Sequence, residues 1–389
     1  VERGDASVNN PISSPTLHAD ALKSWRAGMR GLEQASELTE LAYAESGALT
    51  WRQHPLFYRV NRLHVLALGK TAPQLARAAT LRLGGRIETG FAVTLTGKSL
   101  GRPWSVFRGG HPSITRDSLI AGAALQQWLA DLGPNDHLLV LMSGGASAMV
   151  EIPSPGWSLE RLAQARAKDL SAGLSIEHVN QRAAQRSLIK DGRLAHQTPC
   201  AWTQLTLNDV GDAVNGCVSS GPFLGLSGDG LTIANHRTAA RAATHQLTAL
   251  GYRVFQAPTL KGEARSVGAG LNIPKGYNAL VASGETTVAG PYQGVGGRNL
   301  ELVGGWILDG QPPPSWSLVS GAADGCDGNS GAAGAYYSSD DQPELGALKA
   351  AMERHDSGTW FAQSGRLLTL SEPVSHTGDL LVLVSSKGL

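Results

Sequence analysis

Residues 138–142 (LLVLM) form a short apolar run that ends in Ser143-Gly144-Gly145 and continues as Ala146-Ser147-Ala148. Such a run suits a strand buried on both faces, as in a parallel sheet. The glycines permit a tight turn and let a ligand approach the backbone. A helix starting near Ala146 would aim its free N–H groups and the positive end of its dipole at the turn, which suits phosphate or carboxylate. The same residues also fit an ordinary strand-to-helix turn. Lys70 stands in a matching place: the apolar stretch 65–68 ends in Gly69, Lys70 follows, and 72–83 has helical spacing. That puts the lysine at the carboxyl edge of a sheet, where open α/β sheets bind ligands, unless it is a solvated surface residue.

Other residues carry chemistry by type and setting. Asp209 and Asp212 follow the strand expected over 202–207. Carboxylates there suit Mg²⁺, a hard cation that prefers oxygen, although Asp near Gly is also ordinary turn chemistry. Lys190 and Arg193 surround Asp191-Gly192 in 187–195 (SLIKDGRLA), a basic turn that suits an anion or a solvated hairpin. Arg298 lies in 294–301 (GVGGRNLE); an arginine among glycines can hold a carboxylate or phosphate through two parallel hydrogen bonds. His111, in the loop 109–112 (GGHP), reads as a hydrogen-bonded loop residue.

The elements that must position these groups alternate strand, turn and helix as far as the strand 252–257. This predicts an α/β domain with a mostly parallel sheet. Residues 1–17 read as a flexible arm. Leu22, Trp25, Met29 and Leu32 then form one apolar helical stripe, with helix expected to continue to about Glu45. A domain boundary is expected near 258, ahead of a Pro-, Gly- and charge-rich stretch. The later part predicts two strands over 280–288, a strand over 316–320, a helix over 343–352 and a last strand over 380–384.

The chain is long enough, at 389 residues, for two cores. Its formal charge of +1 gives no general attraction to nucleic acid or an acidic membrane surface. Any anion site is therefore local. Cys200, Cys217 and Cys326 are odd in number and widely spaced, which indicates neither a disulfide framework nor a zinc site. No apolar run reaches the length of a membrane span, and no signal pattern opens the chain. The chain begins with Val1 rather than Met, as expected if a few residues are missing or processed. A cytoplasmic protein is expected.

The chain resembles the glycerate 2-kinases whose C-terminal half is a MOFRL-type domain. The matching runs are 68–72 (LGKTA), 109–112 (GGHP), 143–149 (SGGASAM), 187–195, 209–222, 283–288 (SGETTV), 296–301 (GGRNLE) and 324–328 (DGCDG). They follow the family's order. The resemblance implies a Rossmann-like α/β/α domain over 18–258 with a mostly parallel sheet, and a C-terminal α/β domain with a mixed sheet over 259–389, with the active site in the cleft between them. It implies ATP-dependent phosphorylation of D-glycerate at its 2-hydroxyl, with Mg²⁺. Lys70 and Arg298 correspond to the family's functional lysine and arginine. Asp209 joins them as a catalytic candidate, and with Asp212 as a metal ligand. Ser143, Gly144, Gly145, Ser147 and Lys190 are expected on the nucleotide side; Glu285, Asn299, Glu301 and Asp324 on the acceptor side. A small hydroxy acid is the expected partner, and a homodimer is left open.

There are departures. Where the family usually has Asn-Thr-Val-Arg-Lys-His, this chain has Asn180-Gln181-Arg182-Ala183-Ala184-Gln185. Its Ser-Gly-Pro-Thr becomes Ser220-Gly221-Pro222-Phe223, and the late Thr- and Gly-rich loop reads SEPVSHT over 371–377. The losses fall on polar, substrate-facing motifs. They leave two alternatives beside the glycerate kinase: a retuned or inactive member that binds another substrate, and a hydroxypyruvate reductase. The second is opposed by the lack of a GxGxxG run after the early strands.

Overall fold

The computed structural model describes residues 14–58, 61–172, 176–208, 218, 220–223, 231–290, 294–372 and 374–386. The chain divides into two compact units, one running Glu33–Asn235 and the other combining Val1–Leu32 with His236–Leu389. The sequence boundary was expected near 258; the contacts divide the chain at 235/236.

The first unit is built on a six-stranded, all-parallel sheet. Its strands, in spatial order, are Trp104–Arg108, Ile87–Thr94, Leu63–Leu68, His137–Met142, Ala201–Asn208 and Leu231–Asn235. Leu63–Leu68 and His137–Met142 sit at the centre, and every residue of both is buried. This is why they read in the sequence as unbroken apolar runs. The core on one side gathers Leu66, Phe91, Leu125, Val140 and Met149. The order is that of a doubly wound fold. From Leu63–Leu68 the chain moves outward through Ile87–Thr94 to Trp104–Arg108. It then returns to the other side of its starting strand and moves outward again.

Residues 41–57, where helix was expected to reach Glu45, instead form a three-stranded antiparallel sheet of Leu41–Tyr43, Leu49–Trp51 and His54–Phe57. The turn at Gly47 and the left-handed Arg52 and Gln53 reverse the chain twice. The preceding helix, Ser14–Ser36, begins earlier than expected and takes in part of the predicted arm; residues 1–13 of that arm lie outside the described residues.

The second unit has a six-stranded mixed sheet in the order Val254–Gln256, Ala279–Gly284, Asp379–Ser385, Trp316–Ala322, Gly334–Ser338 and Leu367–Leu368. Only the first pair is parallel. Of the two strands expected over 280–288, one is present, Ala279–Gly284; beyond it Thr287 makes only an isolated bridge to Glu263. The helix Ser14–Ser36 belongs here by its contacts: Trp25 Nε1 donates to the carbonyl of Leu380 at 3.0 Å, and Trp25 is buried. The helix Arg298–Asp309 lies on the sheet, with Leu300, Val303 and Trp306 in the core.

Candidate functional site

The strand order of the first unit reverses between Leu63–Leu68 and His137–Met142, which pair in register from Leu63↔His137 to Leu68↔Met142. In open α/β sheets, the crevice outside the carboxyl ends at such a reversal is where ligands bind. The two turns that leave these strands carry Lys70 and Ser143-Gly144-Gly145.

Hydrogen bonds make the turns one piece. The Ser143 N–H donates to the Leu68 carbonyl at 2.9 Å, and the Lys70 N–H donates to the Gly144 carbonyl at 2.9 Å. Ser143 Oγ accepts from the Thr71 N–H at 3.1 Å and donates to the Leu68 carbonyl at 3.2 Å. Gly69 has φ +111°, and a Cβ there would lie 2.3 Å from the Ser143 carbonyl oxygen. Gly145 has φ +89°, and a Cβ there would meet Lys70 Cγ and His111 Cδ2, each at 3.0 Å. The stem of Lys70 and the ring of His111 therefore flank the glycine turn. Lys70 is half-buried and His111 exposed. Ser147 Oγ lies 3.0 Å from Ser220 Oγ. A cation on a long stem above a turn of small residues is an arrangement that takes phosphate.

Two expectations change. The helix after the glycines spans only Ala146–Met149, because Val150 turns extended. The N–H groups of Ala148 and Met149 return to the Gly145 carbonyl. One turn of helix carries little dipole, which leaves the turn itself and Lys70 as the candidate groups for an anion. Lys190, expected on nucleotide phosphate, is buried, and its ammonium pairs with Glu151. Ser187 Oγ donates to the other Glu151 oxygen at 2.6 Å. Burial lowers the Lys190 pKa against the pull of Glu151. Arg193 also turns inward, donating to the carbonyls of Ala184 and Ser187. The segment that reads as an exposed basic turn thus has its cations occupied. Glu151, which no spacing rule singled out, is what draws Lys190 in.

Asp209 and Asp212 lie outside the described residues. Among the described residues, no group of three His, Cys, Asp or Glu side chains is placed to hold a metal ion.

In the second unit, Arg298 opens the helix Arg298–Asp309. Its Nε donates to Asp379 Oδ2 at 2.6 Å and its Nη2 to Asp379 Oδ1 at 2.7 Å, while Nη1 lies 3.3 Å from Glu285 Oε1. Burial works against the charge on Arg298, but Asp379 outweighs it and raises the pKa. The guanidinium is thus held in one orientation, with Nη1 on its more open side.

The residues around it divide. Asn299, expected on the acceptor side, is buried: its backbone and side-chain amides donate to Asp327 Oδ1 at 3.0 and 3.2 Å, and it accepts from Ser320 Oγ at 2.6 Å. The Leu300 N–H donates to Asp327 Oδ2 at 2.9 Å, so Asp327 caps the helix that carries Arg298. Burial raises the Asp327 carboxyl to about 6. Glu301, also expected to face substrate, is buried and accepts from Ser357 Oγ at 3.0 Å; burial pushes it up to about 7. Asn299 turns toward the sheet at Ser320 and Glu301 toward the start of the helix Ser357–Gln363, so both are packing groups on different sides of their helix. Glu285 stays accessible, with 57% of its side chain exposed. Asp324, partly exposed, accepts from the Cys326 N–H at 3.0 Å and lies 3.5 Å from His376 Nδ1. Burial opposes its charge, but these two partners hold its carboxyl below the usual range. Asp379 and Asp327 were missed as site residues: Asp327 sits in the quoted DGCDG run, and Asp379 gave no signal beyond opening a strand.

A doubly wound α/β unit with a lysine-flanked glycine turn at its reversal point, and a mixed α/β unit with an anchored arginine, together define the class. Residues 22–247 match the family model described as a domain of unknown function, DUF4147, and residues 278–378 match the MOFRL family. The chain belongs to this DUF4147–MOFRL family. It is 27% identical to a D-glycerate 2-kinase of Thermotoga maritima, over 83% of this chain and 90% of that one. It is 28% identical to a putative hydroxypyruvate reductase of Agrobacterium vitis, over 84% of this chain and all of that one, at 100%. The fold matches the crystal structure of a glycerate kinase from Thermotoga maritima with a TM-score of 0.80 and 24% identity, covering 94% of this chain and 98% of that one.

Proposed function

We propose that this chain is a kinase that transfers the γ-phosphoryl group of ATP to the 2-hydroxyl of D-glycerate or a related small hydroxy acid. The observation that carries this reading is Lys70 lying against the Gly145 turn at the sheet's reversal point. The relatives named D-glycerate 2-kinase and glycerate kinase supply the acceptor. Phosphoryl transfer asks the protein for alignment and for neutralisation of charge on the moving group. In this reading the turn from Ser143 to Ser147 cradles the nucleotide phosphates and Lys70 neutralises them. Arg298, held by Asp379, is the second proposed catalytic cation. The acceptor oxygen bonds to phosphorus as the bond to ADP breaks, and the hydroxyl proton is released. Mg²⁺ supplies further charge neutralisation when bound; Asp209 and Asp212 are its proposed carriers.

A coupled ADP-release assay tests this, with ATP and a panel of D-glycerate, L-glycerate, glycolate, D-lactate and glycerol. ADP release with D-glycerate or another 2-hydroxy acid is expected; a silent panel overturns the reading. The relative named putative hydroxypyruvate reductase motivates a second assay. Oxidation of a nicotinamide cofactor with hydroxypyruvate, in place of ADP release, would establish that alternative.

A further inference from the structure

We propose that the first unit holds a pocket for the carboxylate of a small 2-hydroxy acid, with Arg166 as the residue that binds it. The proposal rests on the kinase reading only for the identity of the acceptor. A cavity of about 30 Å³ opens beside Ser147 and Ala148, at the end of the glycine turn. It has room for roughly two waters or one carboxylate group. Leu162, Val179, Ala183, Lys190, Glu151 and Arg166 line it.

The charges around this cavity do not balance. Lys190 is neutralised by Glu151. Asp169 also lines the cavity, but its two oxygens are taken by Arg182 at 2.9 Å and Arg186 at 2.7 Å. Arg166 lies on the same helix, Leu159–Ser171, three residues before Asp169. It makes no ion pair among the described residues, and its charge repels that of Lys190. Arg166 thus brings to the cavity a partly buried guanidinium with no acidic partner among the described residues, which suits an anion. A planar carboxylate matches its fork. Ser147 also lines the cavity, and its hydroxyl is the proposed partner of the acid's own hydroxyl. Ala183 lines the cavity, and its small side chain leaves room there.

Calorimetry without nucleotide tests the pocket, with D-glycerate, glycolate and D-lactate as ligands, glycerol as the neutral analogue and inorganic phosphate as the competing anion. The wild-type chain is expected to bind at least one of the three acids and not glycerol. R166Q should weaken that binding by about tenfold or more, R166K should recover part of it, and A183L should block it by filling the cavity while leaving every charge in place. The proposal is overturned if none of the acids binds, if R166Q and A183L bind like wild type, or if phosphate binds more tightly with the same dependence on Arg166. The ADP-release assay separates this from the kinase reading. Arg166-dependent acid binding without any ADP release leaves the pocket standing and removes the kinase. ADP release by R166Q with the wild-type KM for the acid does the reverse.

Discussion

The backbone N–H of Lys70 donates to the carbonyl of Gly144 at 2.9 Å, so the turn that carries the candidate phosphate-binding cation and the turn that would cradle the phosphate move together. Neither turn can shift without breaking that bond, or the bond from Ser143 N–H to the Leu68 carbonyl. Pre-set geometry of this kind lets a charged group act without reorganising at the moment of reaction.

Gly145→Ala tests the packing of that turn. The new Cβ would sit 3.0 Å from both Lys70 Cγ and His111 Cδ2, in a left-handed backbone. We expect a stability loss of about 1–2 kcal/mol, measured by denaturant unfolding. A larger fractional loss in kcat is expected, because the lysine stem must move.

Asp379→Asn tests the anchoring of Arg298. The substitution keeps the shape but leaves a largely buried guanidinium with only the exposed Glu285 as counter-charge. Breaking such a pair costs about 3 kcal/mol. We expect a lower unfolding midpoint together with a fall in kcat, and partial retention of both in Asp379→Glu.

Asp327→Ala removes the carboxylate that accepts from Asn299 and Leu300 at the start of the Arg298 helix. Loss of an N-terminal cap costs about 1–2 kcal/mol. Hydrogen exchange should show faster opening of the first turn of Arg298–Asp309, with the core strands of the first unit unaffected.

Stability should fall as pH rises toward neutrality. Glu301 is raised by burial to about 7 from 4.5, and Asp327 to about 6 from 3.8. The folded chain therefore holds protons that the unfolded chain releases, so their contribution is full below the unfolded values and is lost as pH climbs through the folded ones. Thermal melts between pH 4.5 and 8 check this: Glu301→Gln should flatten the profile and melt higher than wild type at pH 8.

The central strands were legible because burial on both faces leaves only apolar residues, as in 138–142. The edge strand Trp104–Arg108 was missed because half-exposure breaks its pattern, and Gly334–Ser338 because small and aromatic residues fill it. Of the small sheet over 41–57, the part up to Glu45 reads as helix and the rest gives no signal, because its strands are three or four residues long, too short for a period to show. At the site, Lys70, Arg298 and the glycine turn were visible from residue type and setting. What was not visible depends on partners distant in sequence. Lys190 looks solvent-facing until Glu151, 39 residues away, is placed against it, and Asp379 looks like a surface acid until Arg298, 81 residues away, is paired with it.

The most direct test of the account is steady-state ADP release with D-glycerate for the wild-type chain, Lys70→Ala and Arg298→Ala, each checked for folding by circular dichroism. The account predicts turnover by the wild type and a fall in kcat on the order of 10²–10³ in each variant, the size usual for losing a charge-stabilising group. Variants that fold and turn over D-glycerate like the wild type would contradict it.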